Sequence, residues 1–306
     1  MTLPSRPIVV VGSINMDLVA GAAQIPAAGQ TLIGSSFTTT PGGKGANQAV
    51  AAARLGAQVH MVGMVGGDVF SSSLIDNLAQ ANVRTEAVGR AHGPSGVAMI
   101  AVAASGENSI IAVPGANGAV DSAFVDRHEE LIASAGMVLC QLELPLATVA
   151  HTVELCARLD IPVMLDPAPA AALPDAIWPN LAWFTPNETE AALYAGGNLP
   201  AEPAAQQLLA RGLRGVALKR GAQGVYVAER GGKAAWIPAF PVEAIDTVAA
   251  GDCFNGAFAV ALLEGLDPWA AAQFASAAAA ISVTRHGAQA SMPSRAEVDL
   301  FLTQHA

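Results

Sequence analysis

Apolar positions along the chain fall into two alternating kinds of run. Residues 8–11, 59–65, 137–141, 163–165, 183–184 and 216–218 are short, nearly unbroken and mostly rich in β-branched side chains, the pattern of strands buried on both faces. Between them lie stretches with helical spacing. Residues 44–55 are Ala-rich and close on Gly56, and residues 68–81 are amphipathic and open on Asp68 as a candidate cap. This alternation predicts an α/β fold with a doubly wound, mainly parallel sheet flanked by helices. On such sheets ligands sit beyond the carboxyl ends of the strands, so the residues just after each strand are the functional candidates.

Two stretches depart from the alternation. Residues 20–40 are short alternating pieces rich in Thr, Ser, Gly and Pro, and residues 96–113 alternate around a Ser105-Gly106-Glu107-Asn108 turn. Together they predict one small antiparallel sheet set apart from the body as a lid. The expected organisation is a single domain over residues 1–306, with lid strands inserted at about 15–40 and 96–113, without internal repeats.

Composition narrows the function. Hydrophobic residues make up 52% and charged residues 13% of 306 positions, enough for a large core and incompatible with global disorder. The net charge of −10 comes with no Lys/Arg run, which argues against nucleic acid as a partner. The apolar run near the N-terminus is too short for a signal peptide or a membrane span. Cys140, Cys156 and Cys253 lack metal-ligand spacing and the even count of a disulfide framework, so they are expected to be reduced, mostly buried thiols of a cytoplasmic protein. An acidic protein that holds a phosphorylated ligand must draw its positive potential from backbone N–H groups, helix N-termini and cations.

Four segments carry candidate chemistry. In Asp246-Thr-Val-Ala-Ala-Gly-Asp252, the small residues Ala249, Ala250 and Gly251 precede an apolar helix expected at 254–263. Their amides would form an anion hole, and Asp252 beside it would accept a proton from an attacking hydroxyl. The competing reading makes Asp252 a helix cap. Pro41-Gly-Gly-Lys-Gly-Ala-Asn47 is a glycine turn opening a helix. It is not a Walker A loop, and no dinucleotide fingerprint follows the first strand either, which argues against a dehydrogenase. Gly42, Gly43 and Asn47 would face hydroxyls of a ligand there, unless the turn is mere punctuation. Asn15 and Asp17, two apart after the first strand, share one face and suit a vicinal diol, with an Asx turn as the alternative. Asn187, Glu188 and Glu190 cluster at a helix start, either orienting hydrated Mg²⁺ or complementing the helix dipole.

In this order, the four segments resemble the ribokinase family of sugar kinases over nearly the whole chain. The two signatures are Gly-Gly-Lys-Gly-Ala-Asn at 42–47 and Asp-Thr-Val-Ala-Ala-Gly-Asp at 246–252. The resemblance implies an ATP-dependent kinase whose lid also forms a homodimer contact. It places the sugar on Asn15, Asp17, Gly42, Gly43, Asn47, Glu143 and Asp252, with Asp252 as base and Lys44 assisting. It places the nucleotide on Asn187, Glu190, Lys219, Gly221, Gly224, Gly251 and Ser276, with Mg²⁺ at the Asn-x-x-Glu motif. A monovalent cation, usually K⁺, is implied at Asp246, Val248, Ser282, Arg285, Gly287 and Ser291, mostly through carbonyl oxygens.

Within the family, Ser13-Ile-Asn-Met-Asp17, Gln141-Leu-Glu-Leu-Pro145, Asp166-Pro-Ala-Pro-Ala170 and Thr284-Arg-His-Gly-Ala-Gln289 are most similar to kinases that act on the C5 hydroxymethyl of D-ribose. The expected products are ribose 5-phosphate and ADP. The alternatives are a family kinase for deoxyribose, fructose or a nucleoside, or a sugar-binding protein without turnover. Cys253, where Thr is common, and Ser276, where a larger polar residue often meets adenine, depart from the family pattern.

Overall fold

The computed structural model describes residues 6–305. The N-terminal residues 1–5, included in the signal-peptide argument, lie outside them. The strands are β1 (Ile8–Val11), β2 (Asn15–Ala22), β3 (Ser36–Gly42), β4 (Val59–Val65), β5 (Val83–Arg84), β6 (Val88–Arg90), β7 (Gly96–Ala103), β8 (Asn108–Val113), β9 (Met137–Cys140), β10 (Val163–Leu165), β11 (Leu181–Phe184), β12 (Gly215–Lys219), β13 (Val225–Glu229) and β14 (Ala234–Ile237).

The large sheet runs β14-β13-β12-β11-β10-β9-β1-β4-β5, with β6 also on β4. It is parallel from β12 to β5, and β13 and β14 add an antiparallel edge. β1 lies between β4 and β9, so the chain winds away from it in both directions. The crevice beyond the carboxyl ends of β1 and β9 is therefore the switch point, the place where open α/β sheets accommodate ligands.

Burial on both faces explains the unbroken apolar runs. Ile8 and Val10 face a core shared with the Lys44–Arg54, Ala250–Leu263 and Pro268–Val283 helices, while Val9 and Val11 face one shared with the Leu146–Arg158 and Ala201–Leu209 helices. Each such fully buried aliphatic side chain contributes about 1.5–3 kcal/mol. On the first face small residues set the distance between helices. A Cβ on Gly256 would lie 2.7 Å from Ala51 Cβ and from the Gln48 carbonyl. The absence of that atom lets the Lys44–Arg54 and Ala250–Leu263 helices touch along their backbones, which brings Asn47 and Gln48 to Asp252.

Several sequence expectations are corrected. The small sheet is β3-β2-β7-β8, and it is mixed, because β2 and β7 pair in parallel over eight residues. Residues 23–35 contribute no strand to it. Asp68 does not cap the following helix, Ser71–Gln80, whose N-cap is Phe70. Its carboxylate instead accepts from Phe70 N and from the amide and hydroxyl of Ser95. The apolar helix expected at 254–263 begins at Ala250. The β13–β14 hairpin is an addition that the alternation did not signal. All three cysteines are free and buried, as expected. No helix among the described residues is long and apolar enough to cross a membrane.

Candidate active site

The turn before the Ala250–Leu263 helix has a left-handed residue without being glycine: Ala249 has φ 58° and ψ 13°. This conformation costs a side-chain-bearing residue about 1–3 kcal/mol and concentrates at functional turns. The local amides are left largely unspent. Ala250 N donates over a long 3.3 Å to the Thr247 carbonyl. Among the described residues, the amides of Ala249, Gly251 and Asp252 donate to no protein acceptor. Three free N–H groups at a helix N-terminus make an anion site.

Asp252 is the third residue of that helix, so the cap reading fails. Its buried carboxylate accepts from Asn47 Nδ2 at Oδ2 and from Gln48 Nε2 at Oδ1, both at 3.0 Å. Burial above all, then the Asp166 carboxylate, raises its pKa against the opposing pull of Lys44 and the two amide donors. A carboxylate raised in this way is a better proton acceptor than a free one.

On one side of Asp252 lies a polar cluster drawn from the small sheet and the crevice. Glu143, in the loop after β9, accepts at one oxygen from Ser13 Oγ, Asn15 Nδ2 and Lys44 N. Asn117 fixes Asn15 by donating to its Oδ1 at 2.6 Å. Asp17 is buried on β2, and its pKa is pushed up to about 7 by burial, then by Glu143 and Asp252. Gly43 holds the turn at φ 90°, and a Cβ there would lie 2.7 Å from Asn15 N. Gly42 underlies Asp17, whose Oδ2 would be 2.2 Å from a Cβ. The structure therefore places Asn15, Asp17, Gly42, Gly43, Asn47 and Glu143 in one polar cluster that reaches Asp252 through Asn47.

On the other side opens a cleft of about 860 Å³. Lys44, Asp252 and residues 249–251 form its inner end, and Asn187, Glu190, Lys219, Gly221, Gly224 and Ser276 line the rest. All of the expected nucleotide residues thus share one cavity. Asn187 and Glu190 form a complete capping box, with Asn187 N and Nδ2 donating to Glu190 and Glu190 N donating back to Asn187. The helix-start reading of this pair is therefore realised, and both residues still face the cleft. Glu190 is raised by burial and then Asp166, partly offset by Lys219, its amide bond and Lys44. Lys44 is lowered by burial but raised further by Asp252, Asp166, Glu143 and Glu190, ending well above its usual value.

The residues of the implied cation set are only partly assembled. Asp246 Oδ2 accepts from Gly287 N at 2.8 Å and Oδ1 accepts from Val248 N at 3.0 Å, which ties three of the six together. The carbonyls of Asp246, Val248, Arg285 and Gly287 accept no backbone hydrogen bond among the described residues. This donor set fits a weakly hydrated monovalent cation. The Ser282 carbonyl already accepts from Arg285 N, and the Ser291 hydroxyl is bonded to the Ala288 carbonyl. Among the described residues no group of three or more His, Cys, Asp or Glu converges to hold a metal directly.

Sequence reasoning assigned no role to three residues that structure this centre. Gln48 Nε2 bridges Asp252 and Asp166, Gln141 Nε2 donates to Gln48 Oε1, and Asp166 Oδ1 pairs with Lys219 Nζ at 3.1 Å. Gln141 and Asp166 lay inside noted motifs and Gln48 directly follows one, but only long-range packing shows which way each side chain points.

Comparison with known proteins agrees with this geometry. The family model described as pfkB family carbohydrate kinase matches residues 5–295. A ribokinase of Bacillus subtilis is 46% identical over 299 residues, covering 97% of this chain and 100% of that protein. A Thermotoga maritima ribokinase structure superposes with a TM-score of 0.91 at 39% identity, covering 97% of this chain and 99% of that one. An Arabidopsis thaliana ribokinase, solved with ribose and ATP, gives 0.91 at 32% identity over 98% and 99%. The buried carboxylate, the open amide turn and these matches lead to one conclusion: the chain belongs to the pfkB family of carbohydrate kinases.

Proposed function

We propose that the chain is an ATP-dependent kinase of D-ribose, transferring the γ-phosphoryl group to the C5 hydroxymethyl oxygen to give ribose 5-phosphate and ADP. The observation that carries this reading is the position of Asp252. Its carboxylate lies where the lid-side polar cluster meets the 860 Å³ cleft, beside the unspent amides of residues 249, 251 and 252. The similar proteins named above as ribokinases, one of them solved with ribose and ATP, support the choice of substrates.

In this reading Asp17 and Asn15 hold ring hydroxyls, Gly42, Gly43 and Asn47 line the sugar, and Glu143 closes its lid side. Asp252 takes the hydroxyl proton as the C5 oxygen bonds to the γ-phosphorus and the bond to ADP breaks. The amides of Ala249 and Gly251 receive the charge that spreads over the transferring oxygens, joined by Ala250 if its long bond to Thr247 opens. Lys44 stands at the same point. Asn187, Glu190, Lys219, Gly221, Gly224 and Ser276 bind the nucleotide. Asn187 and Glu190 would hold hydrated Mg²⁺, which supplies positive charge to the phosphates. The free carbonyls around Asp246 and Gly287 would hold K⁺ and steady the amide turn.

The test is a coupled ADP assay with ribose, 2-deoxyribose, fructose and adenosine, with and without potassium. A site built to bond the 2-hydroxyl should favour ribose over 2-deoxyribose by about 10⁴-fold in kcat/KM. Equal turnover of the two, or turnover of adenosine alone, overturns the ribose assignment.

Ionisation of Asp17 gives a second check. Its folded value of about 7 lies above the unfolded 3.8, so between these pH values the folded chain keeps a proton that the unfolded chain has lost. The resulting contribution to folding is complete below the unfolded value and disappears as pH rises through about 7. Ribose hydroxyls bind the ionised form best, so calorimetry at about pH 6 should show roughly one proton released per sugar bound. Asp17→Asn should abolish that release. Unchanged proton release in the variant would remove Asp17 from the sugar site.

The lid also exposes Phe37, Met99, Ile111 and Val113 on one face, an apolar surface that supports a homodimer through this sheet. Ile111 pairs with Met99, on the face opposite Asp17. Ile111→Asp should therefore convert the dimer to a monomer in sedimentation. A wild-type monomer at micromolar concentration would rule this contact out. Free, buried cysteines fit a cytoplasmic location.

A further inference from the structure

Asp252 accepts two amide donors, and an amide can turn either its NH₂ or its oxygen toward a carboxylate. Only the first arrangement is attractive, so something must choose it. For Asn47 the choice is made by Gln289. Gln289 is buried, and its Nε2 donates to Asn47 Oδ1 at 3.1 Å, leaving Asn47 Nδ2 to donate to Asp252 Oδ2 at 3.0 Å. Gln289 is itself oriented, because its Oε1 accepts from Asn77 Nδ2. The chain of donors therefore runs in one direction, from Asn77 through Gln289 and Asn47 to Asp252.

Both ends of the central contact are fixed to the same helix. Asn47 lies on Lys44–Arg54, and Arg54 Nη1 at its end donates to the carbonyls of Ala290 and Met292, one and three residues after Gln289. Asn77 and Gln289 also line a separate cleft of about 390 Å³, away from the 860 Å³ cavity. Gln289 thus lines a cleft that shares no residue with the one holding Lys219, and it makes no hydrogen bond to Asp252.

We infer that Gln289 is a positioning residue for the phosphoryl transfer: it locks the Asn47 amide so that Asn47 donates to the Asp252 carboxylate. Without it, Asn47 rotates freely, and half of its orientations place oxygen against oxygen. The carboxylate then loses a donor that favours its ionised form, so it binds its proton more tightly. The charged groups that face Asp252 are Lys44 from the same helix as Asn47, Asp166 beyond β10, and Asp17 from β2; Lys219, the last residue of β12, lies near Gly251. None of these is altered by changing Gln289.

The assay rests on the kinase reading above, so wild-type turnover of ribose is measured first. If another sugar is turned over instead, that sugar is used; the ribose assignment then fails and this inference is still tested. Gln289→Met keeps the volume and removes the donor. It should lower kcat by about 10–10²-fold with the sugar KM within about threefold, as expected for a misaligned reacting group. The acid limb of the kcat profile should move to higher pH. Gln289→Glu presents an acceptor to Asn47, forces the wrong orientation, and should be slower than Gln289→Met despite its closer shape. In an Asn47→Ala background either substitution should change kcat by less than about twofold, because the group it acts through is gone. Thermal melting of each variant identifies loss of fold. Wild-type kcat and pH profile in a folded Gln289→Met, a Gln289→Glu as active as wild type, or full additivity with Asn47→Ala would each overturn the inference.

Discussion

Asp252→Asn is expected to lower kcat by about 10²–10⁴-fold while shifting the sugar KM by less than about threefold. The amide cannot take up the hydroxyl proton at neutral pH. It also turns one NH₂ toward Asn47 Nδ2 or Gln48 Nε2, both of which donate in the native arrangement. One of those side chains must rotate, which accounts for the small change allowed in KM. The base acts mainly as the new P–O bond forms, so its removal falls on the transition state more than on the bound sugar. Steady-state kinetics with calorimetric sugar binding measures both quantities. A variant that turns over at near wild-type rate but has lost its sugar affinity would make Asp252 a binding residue and remove it as the base.

Lys44→Met should lower kcat by about 10²–10³-fold, the range for removing one charge-stabilising donor from a preorganised site. Lys44 lies among four acidic groups, Asp252, Asp166, Glu143 and Glu190, all of which raise it. The same interaction draws Asp252 downward. Its loss should therefore move the acid limb of kcat to higher pH as well as slow the reaction. The backbone amide of Lys44 still donates to Glu143 in the variant, so the glycine turn keeps that anchor. An unchanged acid limb together with unchanged kcat would show that the ammonium faces solvent during turnover.

Much of this architecture can be read from the chain because local pattern and tertiary burial agree. β1, β9 and β10 follow from unbroken apolar runs, and β4 from one interrupted only by His60 and Gly63, that both cores require. The parallel pairing of β2 with β7 does not. Asn15 meets Gly96, and no local signal distinguishes parallel from antiparallel neighbours in strands of such similar composition. The start of the helix at Ala250 was hidden for a related reason: Ala249 adopts a conformation its residue type disfavours, and the anion turn depends on it. In the site, motif spacing pointed to Asp17, Gly42, Gly43, Glu190 and Asp252, while Lys44, Glu143, Lys219, Gly221 and Gly224 entered through the resemblance. Neither signalled how the amides orient them. Gln289 meets Asn47 across 242 positions and Gln48 meets Asp252 across 204, so their roles depend on how helices pack.

The small sheet is joined to the body by four crossings of the chain, at residues 12–14, 43, 91–95 and 114. Straps this short resist sliding but permit pivoting. Any opening then takes the form of a rigid plate tilting about a line close to Ser13 and Gly43. In such a tilt, points near that line, Asn15 among them, would barely shift, while the Ser105–Glu107 tip would sweep through a wide arc. The mouth can gape for a sugar to enter while the groups that grasp it stay nearly in place.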